Sequence, residues 1–355
     1  MINNNSDKSV IQLTDMIEKY KQDIFWQSQK LKKKFDKFYE KIDEEHILYL
    51  LLDYKSLGSF EINTFLYDRK LFFSEYSKSL FLIIDDIFKN RKTIDKTTLK
   101  HDIINNIYYS FFRIVKNITI MDELFLKAPK TTEELIVYRG MKFLSPKLEE
   151  KMQSQLRKLK KGDLFTFKNY LSTSLLNQVA MDFLESHFTE KREAKCCLFK
   201  INIPKNTRIL YLDSDLTGFK FLKSKNNSVR QILFSEYEIL LPRSCQFKFN
   251  KTYTISGKVP LSCKINNVKK GCISDILVYE FTLHGIDNNR ETFNLKKMSN
   301  PDYIRDLFKE LQNIKLYVSK YDILQYSKGK NVQHLLSTFE KESKKRMLKN
   351  LENRL

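Results

Sequence analysis

The chain has 355 residues, 42% of them hydrophobic, including 27 Phe and 18 Tyr, which excludes a disordered protein and allows a sizeable buried core. A formal charge of +20 suits an acidic partner: nucleic acid, a phosphate-bearing cofactor or an anionic surface. Local basic runs occur only at Lys32-Lys33-Lys34, around Arg157 to Lys161, and at Lys344-Lys345-Arg346, so most of the charge reads as a solvated surface.

From about residue 8 to 44, Ile11, Ile17, Ile24, Leu31, Phe35 and Phe38 recur among charges with helical spacing. A second helix is predicted from Glu45 to Asp53. After a turn at Ser56 to Ser59 a third runs to Tyr67, with further helices at Phe72 to Phe88 and Thr97 to Val115. The character changes at Leu135, where L-I-V-Y-R-G reads as a short strand ended by Gly140. A basic helical segment, Leu148 to Lys161, is followed by a strand with Phe165 and Phe167 alternating, then by Tyr170 to Ser174 and a helix over Leu176 to Phe188. That helix carries Val179, Ala180, Phe183 and Leu184 inward. Strands are predicted at Cys197 to Ile203, Thr207 to Leu212, Cys245 to Phe249, Lys251 to Ile255 and Ile276 to Leu283. Helices return after Pro301 and from Val332 to Leu351.

Val229 to Arg243 contains Glu236-Tyr237-Glu238 ahead of an apolar run closed by Pro242. In a strand alternate side chains share a face, so the two carboxylates would look into one space about 7 Å apart. They are either solvated on an edge strand or gathered for chemistry. Arg139 at a strand exit is either a surface arginine or an anion clamp, with Gly140 letting a ligand approach the backbone. Ser172, Thr173 and Ser174 are either helix caps or groups that position a sugar and brace a carboxylate.

The five cysteines are odd in number and form no C-x-x-C pair, and the five histidines are isolated. A disulfide framework and a zinc site are therefore not expected, and no metal is implied. The N-terminus lacks the basic and apolar regions of a Sec signal, and no stretch is long enough to span a bilayer. A soluble protein is expected, cytoplasmic or delivered into a host cell.

With these motifs in this order, the chain resembles the arginine-serine-glutamate class of mono-ADP-ribosyltransferases, the family of binary-toxin enzymatic components and similar exoenzymes. The resemblance covers about residues 45 to 285. It rests on Y-K-S-L-G-S-F-E-I-N-T-F-L at Tyr54 to Leu66, I-V-Y-R-G at Ile136 to Gly140, Y-L-S-T-S with Ala180 to Phe183, L-F-K-I-N-I-P-K-N-T at Leu198 to Thr207, and E-Y-E-I-L-L-P-R at Glu236 to Arg243. It implies an α+β ADP-ribosyltransferase fold: N-terminal helices on a mainly antiparallel two-sheet β core, with a helical C-terminal extension. Domains are expected at 1–44, 45–285 and 286–355.

The resemblance further implies that NAD is the co-substrate and that Arg139, beside Gly140, holds its phosphates. Ser172 would sit under the nicotinamide ribose and orient Glu238, with Thr173 and Ser174 supporting the strand and Phe183 packing at the nicotinamide. Glu238 would be the catalytic glutamate. Glu236 would face an arginine acceptor on a target protein, since in this family a glutamate two residues before the catalytic one goes with arginine. The family's second phosphate-binding arginine has no counterpart soon after Phe183, where Lys191 and Arg192 are the nearest basic residues. Two other activities fit the same sequence: an NAD glycohydrolase, and a basic binding module without catalysis. Nucleic acid as partner rests on the charge alone. The family's use by bacteria, viruses and phages makes a host-modifying effector the expected setting.

Overall fold

The computed structural model describes residues 5–55, 59–67, 113–141, 146–184, 187–188, 196–212, 236–265 and 268–293. The helices expected at Phe72 to Phe88, in most of Thr97 to Val115 and after Pro301 lie outside these residues, as do Lys191 and Arg192. The chain divides into two compact units, Met1–Glu44 with Phe125–Asn288, and Glu45–Leu124 with Asn289–Leu355.

In the first unit, helix α1 (Asn5–Ile42) is amphipathic along its described face. Ile24, Ser28, Leu31, Phe35 and Tyr39 are buried at intervals of three and four residues, while Trp26, Lys33 and Lys37 are exposed. That spacing is one stripe of a helix and accounts for its docking by a single side.

The strands are β1 (Leu135–Gly140), β2 (Leu164–Phe167), β3 (Leu171–Ser174), β4 (His187–Phe188), β5 (Cys196–Ile203), β6 (Leu210–Leu212), β7 (Glu238–Leu241), β8 (Cys245–Ile265) and β9 (Val268–Ile286). They form one nine-stranded sheet in the order β2-β8-β9-β5-β1-β3-β7-β6, with β4 pairing to β8. The expectation of an α+β architecture with mainly antiparallel strands holds, since among the described strands only β5 with β9 and β4 with β8 run parallel. The two expected sheets are joined into one ladder, because β5 pairs with β1 on one side and β9 on the other. Likewise, the two strands expected over Cys245 to Ile255 are one long strand. Register shifts at Gln246/Phe247 and Phe249/Lys251 absorb the break in alternation that suggested two.

One side of the sheet is aromatic. Phe199 lies 5.5 Å from Phe167 and 5.4 Å from Phe281, and Phe249 is 5.7 Å from Phe281, mostly at edge-to-face angles. Such pairs add about 0.5–1.5 kcal/mol each beyond the area they bury.

The other side carries the short helix Asn177–Asp182, whose Ala180 packs with Leu184 on Cys196, Leu198, Ile276 and Val278. The helix ends at Asp182 rather than continuing to Phe188, and His187–Phe188 instead pairs with Lys264–Ile265 as β4. The inward positions belong to Ala180 and Leu184, and Phe183 is 48% exposed at the C-cap, contrary to the inward placement predicted for it.

The second unit contains helices Glu45–Asp53 and Ser59–Tyr67 and the helical residues 113–124. Ile47, Leu48, Leu50 and Leu51 are buried, Arg113 forms an ion pair with Glu61, and Phe65 lies 6.2 Å from Phe293.

Candidate active site

β3 lies between β1 and β7, so the arginine strand, the hydroxyl strand and the glutamate strand are direct neighbours. Tyr138 is paired with Ser174, and Ser174 in turn with Glu238. Opposed residues share a face, and Ser172 shares that of Ser174 by alternation, so both serines stand on the Glu238 side.

The Ser172 hydroxyl donates to Glu238 Oε1 at 2.6 Å, a length typical of a hydroxyl on a carboxylate. Glu238 is only 4% exposed, and a buried carboxylate is tolerated only with such a donor. Arg139 Nη1 donates to the Ser172 carbonyl at 2.6 Å, so the arginine is tied to the residue that holds the glutamate. A guanidinium has five N–H donors in a planar fork, a set suited to phosphate oxygens as well as to this carbonyl.

The other two hydroxyls bind backbone. Thr173 Oγ1 donates to the Ile239 carbonyl at 2.7 Å, pinning β3 to β7. Ser174 Oγ donates to the Glu236 carbonyl at 2.6 Å and accepts from the Leu176 amide at 3.0 Å. Ser174 thus also serves the start of the following helix, whose N-cap residue, Leu176, makes no side-chain cap of its own.

One expectation is corrected by this geometry. Glu236 lies outside the strand: β7 begins at Glu238, and Tyr237 has φ of +46°, in the left-handed region. An extended backbone cannot pass through that conformation, so strand alternation does not set the relation between the two carboxylates. The Glu236 side chain is half-buried, and its backbone is held by Ser174.

Gly140 is required by the packing of the helix Asn177–Asp182. A Cβ there would stand 1.9 Å from the Ala180 carbonyl oxygen and 3.0 Å from the Leu184 amide, so the close neighbour is helix backbone. Phe183, exposed at the end of that helix, is not among the residues hydrogen-bonded around Glu238.

Among the described residues no group of three His, Cys, Asp or Glu side chains is placed to hold a metal. No described helix is long and apolar enough to cross a membrane.

An arginine, a serine and a buried glutamate thus stand on three adjacent strands, linked by hydrogen bonds. Residues 26–279 match the ADP-ribosyltransferase exoenzyme family, and the chain belongs to it. Its class of activity is therefore ADP-ribosyl transfer, with NAD as the donor that such enzymes use.

Solved structures similar to the chain include C3larvin toxin from Paenibacillus larvae, 20% identical over 70% of this chain and 100% of that one, with a TM-score of 0.36. Vis toxin from Vibrio splendidus is 16% identical over 76% and 89% of the two chains, with a TM-score of 0.40. BECa, a component of a binary enterotoxin of C. perfringens, is 17% identical over 74% and 48%, also with a TM-score of 0.40. No curated protein sequence matches the chain.

Proposed function

We propose that the protein transfers ADP-ribose from NAD to an arginine side chain of a target protein and releases nicotinamide. The observation that carries this reading is the 2.6 Å hydrogen bond between Ser172 and the buried Glu238 carboxylate, with Arg139 anchored on the same serine. The donor set fits NAD: Arg139 suits the pyrophosphate, and Ser172 and Glu238 offer a hydroxyl and a carboxylate to a ribose.

Breaking the bond between ribose C1′ and the nicotinamide nitrogen sends the electron pair to nicotinamide and leaves positive character on the ribose. A carboxylate hydrogen-bonded to a ribose hydroxyl stabilises that charge more in the transition state than before it. Glu238, with one oxygen already fixed by Ser172, is the candidate for this part. An arginine nitrogen then forms the new bond to C1′ and sheds one proton. Guanidinium has a pKa above about 12 and cannot lose it beforehand, so a nearby carboxylate must orient the group and accept the proton as the bond forms. Glu236, two residues from Glu238 and held to the end of β3 through its carbonyl, is the candidate for that role. Thr173 and Ser174 hold β3 to the Glu236–Ile239 segment, and Gly140 with Phe183 belongs to the wall formed by the helix.

The test is transfer of labelled ADP-ribose from NAD to agmatine, a small guanidino compound, by wild type, Glu236→Gln and Glu238→Gln. Wild type should label agmatine. Glu238→Gln should lose both transfer and nicotinamide release, by about a thousandfold or more. Glu236→Gln should lose transfer and keep release. Arginine transfer retained in Glu236→Gln would overturn the acceptor assignment, and release of nicotinamide without transfer by wild type would make water the acceptor.

A further inference from the structure

The N-terminal helix α1 is grouped with the catalytic sheet, and one of the places where it meets that sheet is an edge. That edge is β6, the last strand in the described sheet, which pairs with β7 through Tyr211 opposite Ile239 and Leu212 opposite Glu238. The strand carrying Glu238 is thus held by β3 on one side and by the three residues of β6 on the other. A strand that short fixes little by itself, and an edge strand presents backbone groups that need covering.

Tyr39 supplies the cover. It is 1% exposed, and its hydroxyl donates to the Tyr211 carbonyl at 2.9 Å. Its ring lies 6.0 Å from Phe35, whose own ring lies 6.3 Å from Tyr211, so α1 grips β6 by one hydrogen bond and one aromatic contact. Lower down, Lys34 of α1 bonds the Lys130 carbonyl, and Lys130 bridges to Arg208 just ahead of β6. Burial pushes the Tyr39 phenol well above its usual range, and the charges of Glu238 and Asp36 push it further, which keeps it a proton donor and places it within the field of Glu238.

We propose that Tyr39 is a positioning residue for Glu238: by holding the Tyr211 carbonyl it keeps β6 against β7 and so fixes the glutamate opposite Ser172. This rests on the reading of Glu238 as the catalytic carboxylate. It makes α1 a working part of the active site rather than a leader ahead of it. A misplacement of a reacting group by an ångström costs up to about a hundredfold in rate, so a modest loosening of β7 is felt in catalysis before it is felt in folding.

The experiment uses the full chain with Tyr39→Phe, which keeps the ring and removes the hydroxyl. Two quantities are measured: amide hydrogen exchange, and nicotinamide release from NAD. Exchange should quicken about fivefold at Leu210–Leu212 and Glu238–Leu241 and stay unchanged in β8 and β9. The kcat for release should fall about tenfold with the KM for NAD unchanged, since the anchoring of Arg139 is not touched.

Unchanged exchange in β6 and β7, or a uniform rise across the sheet, overturns the proposal. Local quickening with unaltered kcat also overturns it, leaving Tyr39 a merely structural residue. If wild type releases no nicotinamide while the local exchange effect is present, the mechanical coupling of Tyr39 to β7 stands and the catalytic reading of Glu238 falls instead.

Discussion

The two halves of the sheet both bury apolar side chains, but they differ in what accompanies that burial. In β2, β8, β9 and β5 the bonds between strands are backed by a continuous aromatic layer, in which Phe281 alone lies within 6.4 Å of Phe165, Phe199, Phe247, Phe249 and Tyr279. In β1, β3, β7 and β6 the core is aliphatic, with Val137, Leu210, Ile239 and Leu240 fully buried, and individual polar pins are added to it: Arg139 on Ser172, Ser172 on Glu238, Thr173 on Ile239, Ser174 on Glu236 and Tyr39 on Tyr211. Hydrophobic burial is non-directional, whereas a hydrogen bond weakens steeply once its distance and angle are lost. Both halves bury apolar side chains, and the polar pins add positional accuracy in the second, which is where the proposed chemistry lies.

The comparison can be broken most strongly at Phe281. Phe281→Ala removes the ring that touches most of the aromatic layer and should cost about 3–5 kcal/mol in urea unfolding. Per folded molecule, nicotinamide release should be little changed. A large loss of rate at full folding would show that the two halves are not separable.

A smaller effect is expected at the seam, where Gly140 of β1 meets the helix Asn177–Asp182. The methyl group of Gly140→Ala would meet the Ala180 carbonyl, and the backbone shift needed to relieve it should cost about 1–3 kcal/mol in the same measurement. A neutral outcome would mean that the helix moves away from β1 without resistance.

The smallest effect sharpens the comparison from the aromatic half. Glu280 of β9 receives Lys200 at 2.8 Å and Lys251 at 3.5 Å. Burial raises its pKa, but the hydrogen bond and charge of Lys200, with help from Lys251, outweigh burial and leave it below the usual carboxylate range. A depressed carboxylate contributes stability that is present above its unfolded pKa and lost as pH falls through the lowered folded value. Glu280→Gln should therefore cost about 1 kcal/mol or less at pH 7, shrinking to nothing in acid, as read by thermal unfolding across pH. A cost independent of pH would mean that Glu280 acts through packing alone.

Much of this organisation was legible in the sequence because it is local. The alternation of Cys197 to Ile203 and the hydroxyl run at Ser172 to Ser174 survive as β5 and β3, and α1 follows from the stripe of Ile24, Leu31 and Phe35. The adjacency of Ser172 and Glu238 was reached through the family pattern, since nothing in the spacing of residues 66 apart fixes which strands pair.

What escaped was long-range or a matter of single dihedrals. Tyr39 reads as one more apolar position on α1, and its partner carbonyl lies 172 residues away. The left-handed Tyr237 carries no glycine or asparagine to announce it. The glycine at 140 was visible, but whether a ligand or a helix fills the space beside it depends on where Ala180 comes to rest.

Tyr237 has a consequence for how such a site diverges. A single left-handed residue separates Glu238, which is locked into the ladder, from Glu236, which is not. Residue 236 lies outside the described strand pairings, whereas residue 238 is paired on both sides and its carboxylate is held by Ser172. With the proposed roles, the acceptor side of the site is set by a residue outside the ladder and the donor side by one inside it, so the two can be varied separately.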